Sequence, residues 1–298
     1  MKIKTGYAAI IGKPNAGKST LLNALLGQKL SIVNKKPQTT RKRILGILSE
    51  ENFQVIFLDT PGILEPAYLL QKKMMESVTQ SVTDADIIIF IMDVSQKISE
   101  NETLINSLLE KNTKPVILVL NKIDLSDQDK IQSLINSFNT TGKYKSVIPV
   151  SASKNFNVDS VKNEIINLLP EGPKLYPDDS ISDANERFFV SEIIREKILE
   201  LFQDEVPYSC EVQIVDFKER EDRKDFIQAE IIVERDSQKI IIVGKQGEAI
   251  KKIGKKSREE IEKFLEREVY LDLRVKVRKK WRSDEKMLKQ FGYDQPDE

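Results

Sequence analysis

Gly12-Lys13-Pro14-Asn15-Ala16-Gly17-Lys18-Ser19 decides how the chain is read, because it stands between an apolar strand-like run, Tyr7 to Ile11, and a helix-period segment beginning near Lys18. Strand, glycine-bearing loop and helix in that order are the context a P-loop requires. Glycines let consecutive backbone N–H groups curl around phosphate oxygens, and the helix N-terminus adds its positive dipole end. In this reading Gly12, Asn15, Ala16 and Gly17 form the cradle and Lys18 neutralises the β and γ phosphates. Ser19 offers a hydroxyl to Mg²⁺, and Thr20 is free to reach a phosphate nearer the sugar.

Working outward, apolar runs at Ile44 to Leu48, Gln54 to Leu58, Ile87 to Met92, Pro115 to Leu120 and Ser146 to Val150 alternate with helical patterns. Those patterns begin near Leu69, Glu100, Gln128 and Asn157. Strands separated by helices imply a mostly parallel sheet covered on both faces, an α/β domain ending near Leu169. Asp59-Thr60-Pro61-Gly62 closes the third strand, where Asp59 can reach Mg²⁺ through a water and Gly62 can offer its N–H to a γ-phosphate. The string alone means little; its position gives it weight. Asn121-Lys122-Ile123-Asp124 follows the fifth strand and discriminates between bases. A carboxylate accepts from guanine N1–H and the exocyclic amine, whereas adenine presents an acceptor at the ring nitrogen, so Asp124 selects guanine. Asn121 braces the loop and contacts the base, the Lys122 stem covers the base face, and Ser151-Ala152-Ser153 supplies a backbone contact to the guanine carbonyl.

Composition removes the competing chemistries. The 298 residues contain no histidine and one cysteine, which excludes His-ligated metals, a Ser-His-Asp arrangement and thiolate clusters. Cys210, inside a strand-like run, reads as a packed core thiol. The longest apolar runs are about six residues against the roughly 20 that span a bilayer, and the N-terminus shows no signal-peptide pattern. A cytoplasmic protein without a transmembrane segment is expected.

The length favours two domains. The stretch Leu169 to Ala184 carries three prolines, one glycine and four acidic residues without periodicity, and reads as a linker over 170–184. Beyond it lie an amphipathic helix, Arg187 to Phe202, strands at Ser209 to Phe217 and Phe226 to Glu234, and a third short apolar run, Ile240 to Val243, that reads as strand-like. That run leads into Gly244-Lys245-Gln246-Gly247, a long helix to about Glu266 and an alternating strand, Val269 to Val277. This α+β arrangement, over 185–298, places a GxxG loop where a phosphodiester backbone can approach closely. Overall charge is balanced at 47 basic and 47 acidic residues, yet Lys239 to Arg282 holds 15 basic against 7 acidic residues. Lys251, Lys252, Lys255, Lys256 and Arg258 line one side of the helix and Arg274, Lys276 and Arg278 one face of the strand, so RNA is the expected ligand. A solvated helix and a basic edge strand are the plainer alternative. Trp281, within Lys-Lys-Trp-Arg, reads as packing under a terminal helix in preference to stacking on a base.

These motifs, with the switch-like Pro37-Gln38-Thr39-Thr40-Arg41, RFFVSEIIREKI from Arg187 and VGKQGEAIKKIGKKSR from Val243, are similar to the Era family of translation-factor-like GTPases over essentially the whole chain. The resemblance implies a G domain (residues 1–169) followed by a type II KH domain, and Thr40 as the switch threonine that completes the Mg²⁺ shell, with Thr39 the weaker choice. Lys18, Thr40 and Gly62 are then the residues of catalysis, Ser19, Thr40 and Asp59 those of the metal, and Gly244, Lys245, Gln246 and Gly247 with the helix lysines those of RNA. It implies GTP, GDP and Mg²⁺ as ligands, the 3′ end of small-subunit (16S) ribosomal RNA and the small ribosomal subunit as partners, and a monomer. Ile63 stands where Ras-like enzymes carry a water-orienting glutamine, so intrinsic hydrolysis should be slow. Asn15 matches a position that assists K⁺ binding in related GTPases, or it caps the loop. Two rivals stand beside this reading: an RNA-binding adaptor whose pocket is only structural, and a switch attached peripherally to the inner face of the membrane.

Overall fold

A computed structural model of the protein describes residues 2–34, 36–96, 102–110, 112–221 and 223–293. The helix start expected at Glu100 lies outside the described residues, and that helix is described from Glu102. Two compact units divide between Asp183 and Ala184.

In the first unit, β1 (Lys4–Ile11), β2 (Ile44–Glu50), β3 (Phe53–Asp59), β4 (Ile87–Asp93), β5 (Val116–Asn121) and β6 (Ser146–Pro149) form one sheet in the order β2-β3-β1-β4-β5-β6. All neighbours run parallel except β2, which folds back on β3 through the tight turn at Glu51 and Asn52. Helices α1 (Lys18–Leu26), α2 (Leu69–Asp84), α3 (Glu102–Glu110) and α4 (Gln128–Thr140) lie in the connections between strands, and α5 (Val158–Leu168) follows the last strand. Along β1, Ala8 and Ile10 join the cluster holding Leu21, Leu22 and Ile165, while Ala9 and Ile11 join Val78 and Ile88. This alternation across the pleat, with both faces buried, explains why the strands read as continuous apolar runs. Strand order reverses beside β1, and the crevice at a reversal is where such sheets hold ligands.

The segment expected as a linker is fastened to this unit along most of its length. Thr5 N–H donates to Pro170 O at 3.0 Å, Ile47 N–H to Ile181 O at 2.8 Å and Ser182 Oγ to Leu45 O at 2.6 Å. Gln54, fully buried, accepts from the Leu175 and Tyr176 amides and donates to Tyr176 O and Ser49 Oγ. Proline and acidic residues gave the segment no period to read, yet its backbone finds partners on β1, β2 and β3.

The second unit orders α6 (Glu186–Leu201), β7 (Glu211–Lys218), β8 (Asp225–Val233), α7 (Asp236–Val243), α8 (Glu248–Leu265), β9 (Val269–Val277) and α9 (Glu285–Gln290). The sheet runs β7-β8-β9, antiparallel then parallel, which is the α-β-β-α-α-β order of a type II KH domain. One expectation fails here. Ile240 to Val243 is the end of α7, not a strand: Gln238 Oε1 accepts the Glu234 and Arg235 amides at 3.0 Å each and starts a helix that four apolar residues alone could not announce. On α8, Ile253, Ser257, Ile261 and Leu265 form the buried stripe at four-residue spacing. Trp281 is fully buried, donates from Nε1 to Ser209 O at 2.9 Å and meets Phe291 edge-on, so it packs and does not stack on a base. Cys210 is likewise buried, its thiol against Val206 O.

Candidate functional site

The loop after β1 closes tightly against its surroundings. A Cβ on Gly17, whose φ is +102°, would fall 2.2 Å from Asn121 Nδ2, and one on Gly12 would fall 2.4 Å from Ile91 O. Only glycine fits at either place. Ala16 is buried beneath the loop, and Asn15 forms its exposed tip at φ 62°. The N-cap of α1 is Gly17, which has no side chain to cap it.

Lys18 is buried and donates to Gly12 O at 3.2 Å and Lys13 O at 2.9 Å, spanning the cradle. Burial pushes its ammonium down to about 8, against the opposing pull of Asp59. Ser19 and Thr20 follow on the first turn of α1. Ser19 Oγ donates to Asp59 Oδ2 at 2.7 Å and lies 2.8 Å from Thr40 Oγ1. Thr39 points elsewhere, donating to Lys36 O at 2.6 Å, which decides between the two threonines. Asp59 has no exposed surface and its Oδ1 has no hydrogen-bond partner; burial raises its pKa despite the Ser19 hydroxyl and Lys18. Two hydroxyls and a buried carboxylate with a spare oxygen, at a helix N-terminus, are a donor set for a hard cation such as Mg²⁺.

Thr60 hangs from β1, its hydroxyl donating to Ile10 O at 2.7 Å, and Ile63 N–H donates to Gly12 O at 3.0 Å. Between them Gly62 passes so near the loop that a Cβ would come within 2.7 Å of Pro14. The Ile63 side chain is buried in the core and presents no polar group to the site.

The base-side motifs are joined by Asn121, whose Nδ2 donates to Ala16 O at 2.8 Å and whose Oδ1 accepts Ala152 N–H at 3.0 Å. Ser151 Oγ donates to Asp124 Oδ1 at 2.6 Å and sits 3.5 Å from Ser153 Oγ. Lys122 adopts φ 63°, and its ammonium pairs with Asp93 Oδ2 at 2.7 Å. The nucleotide motifs named from the sequence therefore converge on one crevice. Sequence reading missed Thr60 as an anchor and Asp93 as the partner of Lys122, although Asp93 ends β4 in register with Asn121.

The profile of the family described as 50S ribosome-binding GTPase matches residues 7–122, and that of the KH domain matches residues 205–282. GTPase Era of Clostridium beijerinckii is 44% identical over 290 residues, covering 97% of both chains. The chain belongs to the Era family of GTPases. A chloroplastic ERA-like GTPase of Oryza sativa is 46% identical over 97% of this chain and 69% of its own. An Era crystal structure, in complex with MgGDPNP and nucleotides 1506–1542 of 16S ribosomal RNA, superposes with a TM-score of 0.95 at 42% identity over 98% of this chain and all of that one. Aquifex aeolicus Era bound to GDP and AlF4⁻ gives the same score, identity and coverage.

In the Era-family KH domain of this chain, Gly244, Lys245, Gln246 and Gly247 join α7 to α8, a helix-to-helix turn where the sequence suggested strand to helix. Gly244, Gln246 and Gly247 all have positive φ, at 71°, 51° and 79°. A Cβ on Gly244 would lie 2.6 Å from Ala249 Cβ, whereas one on Gly247 would meet only Ile250 Cγ2 at 4.0 Å. Lys245 and Gln246 are exposed, as are Lys251, Lys252 and Lys255 beyond the buried stripe of α8. Arg258 lies 3.9 Å from Glu262, and Lys256 equally far from Glu200. The basic face expected of β9 is largely neutralised, because Lys276 pairs with Glu230 and Arg274 with Asp272. The alternating cations were legible; the carboxylates that meet them, Glu230 across on β8 and Asp272 two residues back on β9, were not.

Proposed function

We propose that this chain is a GTP-hydrolysing switch that binds the 3′ end of 16S ribosomal RNA and acts in assembly and maturation of the small ribosomal subunit. Residues 1–169 form its G domain and 185–298 its RNA-binding module. The observation that carries the reading is the meeting of Ser19, Thr40 and Asp59 beside Lys18. A site with only a structural role has no need to bury a carboxylate with an unpartnered oxygen, which costs stability. Thr40 lies on the switch-like segment and Ser19 on α1, so both reach the same ion only when that segment is closed over the site.

Ser19, Thr40 and Asp59 would hold Mg²⁺, which would supply positive charge against the charge that develops as the γ-phosphoryl group leaves. Lys18 holds the β and γ oxygens, and the Gly62 amide is aimed at the γ side. Gly12 to Gly17 exclude water from the phosphates with backbone N–H groups already in place. Ile63 contributes neither base nor acid, so turnover depends on positioning alone and is slow. Asn15, exposed at the loop tip, is the proposed K⁺ ligand, with capping of the loop as its alternative role.

On the RNA side, Gly247 lets the backbone approach and Lys245, Lys251, Lys252, Lys255 and Arg258 supply charge. No helix among the described residues is long and apolar enough to cross a membrane. The location that accompanies this reading is the cytoplasm, as a monomer. Attachment to the inner face of the membrane is the finer alternative, tested by co-sedimentation with anionic vesicles.

The deciding measurement is phosphate release from GTP, with and without an oligonucleotide of the 16S 3′ end. Release that requires Mg²⁺ and vanishes in Lys18→Ala is expected. A chain that binds the RNA yet never hydrolyses GTP would be the adaptor instead.

A further inference from the structure

Asp93 ends β4 directly beside Asn121 on β5, and its side chain is 8% exposed. Both of its oxygens are engaged. Oδ1 accepts Ser95 N–H at 3.0 Å and Ser95 Oγ at 2.6 Å, while Oδ2 accepts Gln96 Nε2 at 3.3 Å and the Lys122 ammonium at 2.7 Å. The Ser95 and Gln96 bonds fix the carboxylate from its own turn, so it acts as a rigid post and not as one end of a mobile pair. Lys122 needs such a post. Its backbone sits in the left-handed region, unfavourable for a residue with a Cβ, and its four-carbon stem has several rotamers to lose. The neighbouring amides also tie the strands together, Val94 N–H donating to Asn121 O at 3.1 Å.

We propose that Asp93 is a positioning residue of the guanine site: by holding the Lys122 ammonium it lays the Lys122 stem across the place the base face occupies. The inference rests on the guanine-nucleotide reading of NKID and extends it to a residue outside the motif. Asp93 touches no ligand itself. Its contribution is to lower the ordering cost of Lys122, so it belongs to ground-state affinity and not to the chemical step.

The test measures GDP affinity by fluorescent-nucleotide titration for the wild type, Asp93→Asn, Asp93→Ala, Lys122→Met and the double variant Asp93→Asn/Lys122→Met. Asp93→Asn keeps the side chain's shape and an acceptor for Ser95, so it guards against misfolding of the alanine variant. Affinity should fall about tenfold in Asp93→Asn and in Lys122→Met, with less than about twofold further loss in the double variant, because both changes remove one interaction. The rate at saturating GTP should be unchanged in Asp93→Asn. The preference for GTP over xanthosine triphosphate should also hold, since Asp124 keeps its place; general collapse of the NKID turn would erode it. Additive losses in the double variant, a wild-type affinity in Asp93→Asn, or a shifted base preference would each overturn the proposal. A wild-type chain that binds no GDP would overturn the nucleotide-site reading itself, and this inference with it.

Discussion

Ser151 Oγ donates to Asp124 Oδ1 at 2.6 Å, so the carboxylate proposed to read the base is held by a hydroxyl from the loop after β6. One lone pair of Oδ1 is used, and the rest of the carboxylate keeps its acceptor capacity for two donors. Guanine presents two donors side by side; xanthine presents an acceptor where guanine has its amine. Asp124→Asn should therefore exchange the preference, weakening GTP and favouring xanthosine triphosphate in a competition assay. Retained preference for GTP would refute the base assignment.

Lys18 and Asp59 give the site a pH signature. Burial holds the Lys18 ammonium down to about 8, below the ordinary lysine value. Between that value and the unfolded one the unfolded chain binds more protons than the folded chain, so the free protein gains stability as pH rises through this window. Polyphosphate in the cradle favours the charged ammonium, so binding there takes up a proton. GDP affinity should fall above about pH 8, and calorimetry at pH 8.5 in two buffers of different ionisation enthalpy should show proton uptake. No uptake would place the phosphates away from Lys18.

Asp59→Asn keeps the side chain's shape and removes the charge placed to hold the cation. The same change should abolish the extra stabilisation that Mg²⁺ adds to bound GDP. If Mg²⁺ still shifted the melting of the GDP complex of Asp59→Asn by the wild-type amount, the metal would sit elsewhere.

Ile63 separates a core role from a catalytic one. The side chain is 8% exposed within the core cluster, and only its backbone N–H meets the P-loop. Ile63→Ala should cost about 2 kcal/mol or more of stability, as truncation of a buried isoleucine does. Turnover per folded molecule should persist, because no proton-transfer or water-orienting group is removed. Abolished turnover with intact folding and GTP affinity would assign Ile63 a part in the reaction.

What the sequence could and could not say follows from range. Gly17, Lys18 and Ser19 were legible because loop, strand and helix lie within one short window. Asp59 was legible because it ends an apolar strand, and Asp124 because its motif starts on Asn121, the last residue of another. Gln54 holding the 170–183 segment, Glu230 neutralising Lys276 and Asp93 meeting Lys122 are pairings across strands or across more than a hundred residues, and no local period encodes them. Ile240 to Val243 failed for a different reason: four apolar residues fit a strand or a buried helix turn equally, and only the Gln238 cap tells them apart.

The two glycines of the KH loop should behave differently, and the difference tests the RNA site. Gly244 has no room, since a Cβ would meet Ala249 at 2.6 Å, so Gly244→Ala should destabilise the domain itself. Gly247 opens onto space, with nothing nearer than Ile250 at 4.0 Å. Gly247→Asp places a charge where a phosphodiester would lie, at a modest backbone cost because aspartate tolerates positive φ better than most residues. RNA affinity should then fall by about 2 kcal/mol or more while the fold survives. GTP affinity should barely move, because the loop and the nucleotide site belong to separate compact units. Replacing Lys251 and Lys255, both exposed, should weaken binding less selectively and flatten its salt dependence by about one unit of slope for each phosphate no longer neutralised. Mobility-shift titrations at several salt concentrations, with a 16S 3′ oligonucleotide and a scrambled control, read both effects. Equal binding of the two oligonucleotides, indifferent to Gly247→Asp, would reduce the loop and α8 to a generic basic surface.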